Sequence, residues 1–167
     1  DILFSDIDID GDEDLIVANY SLAGGATWAK SYVYLNDNGS YPKEQRIELS
    51  TMGASAVSAA DLNGDKYPEL ILSNERVTNQ ACIPSFVFWN INGTFRNNHH
   101  TQLDTQGAVG NAVADVNKDG WPDVVFFNRE GNFRDGASQT YVYWGDGTRN
   151  YTPQRCLAIP THYMGGG

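Results

Sequence analysis

Between Asp6 and Asp14 the chain packs six acidic side chains into nine positions: Asp6, Asp8, Asp10, Asp12, Glu13 and Asp14. Carboxylates this crowded repel one another and resist ionisation unless a cation or a set of hydrogen-bond donors compensates them. The stretches "DLNGDKYPEL" from Asp61 and "DVNKDGWPDV" from Asp115 align with "DIDIDGDEDL" from Asp6 without a gap. The shared loop reads D-x-[DN]-x-D-x-x-x-[DE], with side-chain oxygens at its first, third, fifth and ninth positions and a main-chain carbonyl on offer at the seventh. An all-oxygen donor set in a sharply turning loop is the chemistry of Ca²⁺, which takes six to eight oxygens at about 2.3–2.6 Å.

Three calcium sites are therefore expected. Site one uses Asp6, Asp8, Asp10, the carbonyl of Asp12, and Asp14. Site two uses Asp61, Asn63, Asp65, the carbonyl of Tyr67, and Glu69, and site three uses Asp115, Asn117, Asp119, the carbonyl of Trp121, and Asp123. Mg²⁺ demands a tighter octahedron and keeps more water, and zinc or copper would want His or Cys, which the loops lack. An EF-hand starts with the same spacing but needs a bidentate Glu at position 12 and flanking helices. Position 12 here is Val17, Leu72 and Phe126, and the flanks are β-rich. The plainer alternative is three solvated turns that bind nothing. Twelve of the 21 acidic residues lie in these loops, and three bound Ca²⁺ would move the net charge from −10 to −4. Lys66 stands where the other loops have Gly11 and Gly120; if that position needs a positive φ, site two carries a strain of about 1 kcal/mol and is the weaker one.

The elements that position these loops repeat with them. Aromatic runs begin at Tyr32, Phe86 and Tyr141, and Gly53 and Gly107 lead into the second and third loops, so the period is 54 or 55 residues. Such a period marks an array of like units that bury their faces on one another. Each unit reads as a strand of small residues ("AVSAAD", "GNAVAD"), the acidic loop, a β-rich strand ("LIVAN", "LILSN", "VVFFN"), a polar connection, an aromatic third strand, an Asn-Gly or Asp-Gly turn (Asn38-Gly39, Asn92-Gly93, Asp146-Gly147) and a weaker fourth strand. Such turns make tight hairpins, and no apolar 3.6-residue stripe runs long enough for a helix. Four antiparallel strands per repeat describe a β-propeller blade. The expected class is all-β, with blade 1 over residues 1–51, blade 2 over 52–105, blade 3 over 106–163, and the start of another blade's first strand at 164–167.

Read end onto beginning, "MGGG" and "DILFSD" line up with "MGASAVSAAD" from Met52. Propellers usually close with four to eight blades, so two expectations stand: a homodimer that closes a six-bladed ring head to tail, or a piece of a longer propeller.

These residues resemble the FG-GAP repeat, also called the VCBS-type repeat, of the integrin α-subunit propeller. The resemblance rests on Gly53, Ala54, Ala60 and Asp61 of the lead-in, the acidic loops, the pairs Pro68-Glu69 and Pro122-Asp123, and the "YVYWG"-type third strand. The first loop departs from it with Glu13 where the family commonly has Pro. The resemblance implies an extracellular or cell-surface propeller with Ca²⁺ between first and second strands, used for adhesion, ligand recognition or carbohydrate binding.

Composition narrows the partners. The chain of 167 residues is 41% hydrophobic, with nine Tyr, seven Phe and four Trp to fill a core, and its eleven Lys and Arg are scattered. A scattered minority of basic residues does not make the stripe that nucleic-acid phosphates need, and no apolar run approaches the roughly 20 residues of a membrane span. No G-x-S-x-G, H-E-x-x-H or phosphate-cradling loop occurs, and His99-His100 reads as surface. The expectation is a non-enzymatic recognition module; a lectin and a structural module of a larger surface enzyme are the alternatives. A protein or glycan ligand would meet the connections between second and third strands, where Trp28, Arg76, Arg129, Phe133 and Arg134 are the candidate anchors, although Trp28 and Phe133 could equally pack between blades. Cys82 and Cys156 could form one disulfide or stay as buried thiols, the second being preferred. The sequons at Asn38 and Asn92 coincide with the Asn-Gly turns, which explain the residues without glycans.

Overall fold

The computed structural model describes residues 1–21, 28–76, 82–129 and 138–161. Among the described residues, runs of β-branched and aromatic residues cut by Asp/Asn/Gly clusters become twelve strands in three sheets. The first sheet holds β1 (Ile2–Ser5), β2 (Asp14–Val17), β3 (Lys30–Tyr34) and β4 (Ile47–Ser50). The second holds β5 (Ala54–Ala60), β6 (Glu69–Asn74), β7 (Ser85–Phe88) and β8 (His100–Leu103), and the third β9 (Ala108–Ala114), β10 (Asp123–Asn128), β11 (Ser138–Tyr143) and β12 (Cys156–Thr161). Each strand pairs antiparallel with its neighbour in sequence, so each sheet is one up-and-down blade. Helical structure among the described residues is confined to two 3-10 turns, Lys43–Gln45 and Pro153–Arg155. No described helix is long and apolar enough to cross a membrane.

The blades stack face to face, and their period-two alternation decides which side chains meet. Between blades 1 and 2, Ile7, Ile16, Val33 and Leu49 pack on Leu70, Leu72, Phe86 and Phe88. Between blades 2 and 3, Ile71, Val87, Trp89 and Leu103 meet Val124, Phe126, Tyr143 and Tyr151. Blade 2 is covered on both faces, so every residue of β6 is buried, whereas β2 of blade 1 alternates buried with half-buried. Small residues on β5 and β9 let the innermost strands approach closely, as the taper of a propeller requires. There the Ser55 hydroxyl donates to the Ala108 carbonyl at 2.7 Å, and the Asn111 amide donates to the Ser73 hydroxyl at 2.8 Å.

The Asn-Gly turns of blades 1 and 2 form as expected. Asn38 and Gly39 have φ of 52° and 87°, and Asn92 and Gly93 have 52° and 84°, the paired left-handed geometry of a type I′ hairpin. Blade 3 differs: Gly147 has φ of 73°, but Asp146 Oδ1 accepts the Thr148 amide at 3.0 Å, so a longer Asx-type turn replaces the two-residue one. The cysteines also depart from expectation. Cys82 and Cys156 are not joined by a disulfide, and Cys82 is exposed while Cys156 is half-buried. Cys82 precedes β7 in a connection, outside both inter-blade cores.

Candidate metal loops and inter-blade contacts

Each acidic loop closes the hairpin between the first two strands of its blade, and much of its charge is met by its own backbone. The first-position carboxylate is the hub. Asp6 accepts the amides of Asp10 and Gly11, each at 3.1 Å; Asp61 accepts those of Gly64 at 2.7 Å and Lys66 at 2.9 Å; Asp115 accepts those of Asp119 at 3.1 Å and Gly120 at 2.9 Å. The fifth-position side chain then accepts the amide of the seventh residue at 2.9 Å in all three loops, Asp10 from Asp12, Asp65 from Tyr67 and Asp119 from Trp121. This folding-back points the seventh amide inward.

Two residues of every loop must be left-handed to make these bonds. The sixth position has φ of 99° at Gly11, 80° at Lys66 and 94° at Gly120, and the fourth has 63° at Ile9, 81° at Gly64 and 63° at Lys118. The expected strain at Lys66 is therefore present, and Ile9, a β-branched residue, is strained in the same way. Lys66→Gly should raise stability by about 0.5–1 kcal/mol, the αL penalty less the greater chain entropy of Gly. Urea unfolding checks this, with Gly120→Lys expected to lose a similar amount; a destabilised Lys66→Gly would remove strain from the account of site two.

The ninth-position acids are buried: Asp14 at 1% exposure, Glu69 and Asp123 at 0%. Each holds two hairpins together. Asp14 accepts the amides of Ile7 and Asn36 at 2.8 Å, and Asp123 those of Val116 at 2.8 Å and Gly145 at 2.9 Å. Glu69 accepts the Leu62 amide at 2.8 Å and bonds the Asn90 backbone in the same way. The partners Asn36, Asn90 and Gly145 were not among the expected site residues, although each sits at the mouth of the turn after the aromatic strand, where the period would have flagged it. Burial pushes the Glu69 carboxyl up to about 7, with Asp65 and Asp61 adding repulsion. Burial also raises Asp14, and it raises Asp8, where Asp14 and Asp10 add to the effect.

Loop 1 brings three ligand oxygens into one place: those of Asp6, Asp8 and Asp14 lie within 4.8 Å of one another. Asp8 Oδ1 is shut off from solvent and has no hydrogen-bond partner, a costly state for a carboxylate oxygen unless a cation faces it. Blade 2 lies close against Asp8. A Cβ on Gly93 would stand 2.5 Å from Asp8 Cβ, and the Asn90 amide donates to the Ile7 carbonyl at 3.0 Å. The donor set fits a hard divalent cation: Asp6, Asp8 and Asp14 would hold it, and Asp10 and the Asp12 carbonyl stand beside them in the loop. In loop 2 the Asn63 amide donates to Glu69 at 3.2 Å, and in loop 3 the Asn117 amide donates to Asp119 at 2.8 Å; Asp115, Asn117 and Asp119 are exposed.

The candidate ligand anchors divide. Trp28 is exposed at 63% and stands over the groove between blades 1 and 2. Arg129 pairs with Glu75, which is buried on blade 2, and the Arg76 guanidinium lies 3.7 Å from the same carboxylate, so both arginines are engaged in an inter-blade ion cluster. Phe133 and Arg134 fall outside the described residues, as do residues 164–167.

No curated protein matches the chain. Residues 6–72 match the family model described as an FG-GAP-like repeat, a span that begins at the first residue of loop 1, takes in β2, β3 and β4 of the first blade, β5 and loop 2, and ends in β6. Over that span the chain is similar to an FG-GAP-like repeat, and its three four-stranded antiparallel sheets are those of a blade-like propeller fragment.

Proposed function

We propose that this chain is a calcium-stabilised propeller module for recognition outside the cytoplasm, with no chemistry of its own. The observation that carries the reading is the orphaned, buried Asp8 Oδ1 among the converging oxygens of Asp6, Asp8 and Asp14. The calcium would tie the first and second strands of each blade together and couple folding to metal binding. Extracellular calcium modules work at roughly 10⁻⁴–10⁻³ M, a concentration that an outside location supplies and that suits loops whose backbone already satisfies part of their charge.

Further blades would complete the ring, and we assign them to a second copy of this chain. Support comes from apolar side chains left exposed on the two outer faces, Ile2 and Phe4 on blade 1 and Val116, Phe127, Leu157 and Ile159 on blade 3, which are the faces that blade 2 buries on its neighbours.

The test is calorimetric titration of the metal-stripped chain with Ca²⁺ and with Mg²⁺, with light scattering on the same samples. Three calcium sites, weaker magnesium, loss of one site in Asp8→Ala and a doubled mass are expected. Absence of calcium heat anywhere in that concentration range would leave the loops as plain turns, and a monomer in calcium would dismiss the second copy.

A further inference from the structure

The residue at the mouth of the turn after the third strand does a different job in each blade. In blade 1 it is Asn36, whose side chain works within its own blade. Its amide donates to the Glu13 carbonyl at 2.9 Å, a carbonyl that the Tyr41 hydroxyl also meets at 3.1 Å, and its Oδ1 accepts the Gly39 amide at 2.8 Å. In blade 3 the residue is Gly145, which has no side chain, and the Tyr151 hydroxyl donates to the Pro122 carbonyl at 2.8 Å. In blade 2 it is Asn90, which is buried. Phe95, which the repeat aligns with Tyr41 and Tyr151, has no hydroxyl to give. The Asn90 amide serves the Pro68 carbonyl itself, at 3.0 Å, and also reaches the Ile7 carbonyl of blade 1 at 3.0 Å.

A peptide group is planar, so the Ile7 carbonyl belongs to the plane that carries the Asp8 amide, and the Pro68 carbonyl to the plane that carries the Glu69 amide. Asp8 is the third-position acid of loop 1, and Glu69 is the ninth-position acid of loop 2. With one side-chain NH2 group, Asn90 therefore fixes the peptide that leads into a candidate ligand of each loop. Its backbone amide donates to the Glu69 carboxylate. Its Oδ1 accepts the Gly93 amide at 2.8 Å, and Gly93 lies against Asp8, so one turn touches both acids. Loops 2 and 3 meet differently. Gly145 offers no side chain to blade 2, and the contact there is the Trp121 ring, 3.4 Å from where a Cβ of Gly64 would stand. A ring can slide over a glycine, whereas hydrogen bonds are directional, and two that leave one planar group hold both acceptors in register.

We infer that Asn90 is a positioning residue that couples loops 1 and 2, so that a cation held in either raises the affinity of the other, while loop 3 binds on its own. The inference rests on the calcium reading above. Two sites are coupled when both bias one shared element, and here that element is the Asn90 turn. Once loop 1 is ordered around a cation, the turn is ordered too, and loop 2 fills with less entropy to lose. The coupling is reciprocal. The test is a Ca²⁺ titration followed by NMR of the backbone amides of Gly11, Gly64 and Gly120. These donate to the hub carboxylates of loops 1, 2 and 3 at 3.1, 2.7 and 2.9 Å, so each loop has its own reporter. Disabling loop 1 with Asp8→Ala, which keeps the Cβ that faces Gly93, should raise the calcium midpoint read at Gly64 by about fivefold, the low end of couplings between sites. The midpoint at Gly120 should stay where it was. Asn90→Gly together with Phe95→Tyr gives blade 2 the arrangement of blade 3, in which the turn residue has no side chain and a tyrosine serves the loop carbonyl. In that background Asp8→Ala should no longer move the Gly64 midpoint. The charge removed is the same in both backgrounds, so the difference between them belongs to Asn90 and not to repulsion across the interface. A Gly64 midpoint unmoved by Asp8→Ala, an equal shift at Gly120, or a shift that survives the double change would each overturn the coupling, and the first two need no variant of Asn90. Calcium responses at all three glycines without transfer between loops 1 and 2 refute the coupling alone. Silence at all three refutes the calcium reading, and the coupling falls with it.

Discussion

Stripped of divalent ions, the chain will be more stable at about pH 5 than at about pH 7, and saturating calcium will invert that order. The cause is Glu69, whose carboxyl is pushed by burial to about 7 in the folded chain from an ordinary value of 4.5. Between those two values the folded state holds a proton that the unfolded state has released, so stability falls as pH rises through the window. A difference of this size corresponds to about 3 kcal/mol, and Asp8 and Asp14, also raised, act in the same direction. Calcium binds only the ionised carboxylates, so its contribution grows as pH rises over the same range. Urea unfolding at both pH values, in EDTA and in excess calcium, gives the four stabilities required. Glu69→Gln, which keeps an acceptor for the Leu62 amide, should flatten the metal-free slope. A metal-free chain that gains stability toward neutral pH would show that burial does not raise the Glu69 carboxyl.

Gly93→Ala will cost about 3–5 kcal/mol, whereas Gly39→Ala, at the same point of the preceding blade's turn, will cost about 1. Both glycines are left-handed, with φ of 84° and 87°, so both substitutions bear the strain that L-residues meet in that region. Only Gly93 has a neighbour: its added Cβ would lie 2.5 Å from Asp8 Cβ and 2.9 Å from Asp8 Cα, while nothing lies within 4 Å of the Gly39 position. Backbone on the far side leaves little room to give, so blade 2 must lift away from loop 1. The same variant should lose one calcium site, because Asp8 would no longer be held over Asp6 and Asp14. Denaturant unfolding and calcium titration of the pair measure both effects. Equal losses at the two glycines would mean that the junction is soft.

How much of this could be read from the sequence depends on distance along the chain. The acidic loops, the four-strand blades and the strain at Lys66 are set within a few residues, and a repeat prints each local rule several times, so comparison among Gly11, Lys66 and Gly120 exposed the odd one. What lay beyond reach was set by contacts between blades. Gly93 lies close against Asp8 from more than eighty residues later, and nothing near Asp8 signals that contact. The pairing of Arg129 with Glu75 likewise joins residues of two blades. The longer turn at Asp146 was obscured because Asp-Gly satisfies the same short-range signal as Asn-Gly. The bond from Asn90 to the Ile7 carbonyl emerges only when the sheets are stacked, since no single blade contains both ends.

The hydrogen bonds of the glycine turns also bear on chemical ageing. Asparagine followed by glycine is the dipeptide most exposed to deamidation, in which the glycine amide nitrogen attacks the asparagine side-chain carbonyl, expels the side-chain nitrogen as ammonia and closes a succinimide that water then opens to aspartate or isoaspartate. The chain has three such pairs in its described turns, Asn38-Gly39, Asn63-Gly64 and Asn92-Gly93. In each the nucleophilic nitrogen is occupied: Gly39 donates to Asn36 Oδ1 at 2.8 Å, Gly64 to Asp61 Oδ1 at 2.7 Å and Gly93 to Asn90 Oδ1 at 2.8 Å. The fold thus protects its own most perishable bonds for as long as the turns stay closed. A molecule that spends time open would collect succinimide and isoaspartate first at these three turns, two of which brace acidic loops, so its working lifetime is set by how firmly the blades are kept shut.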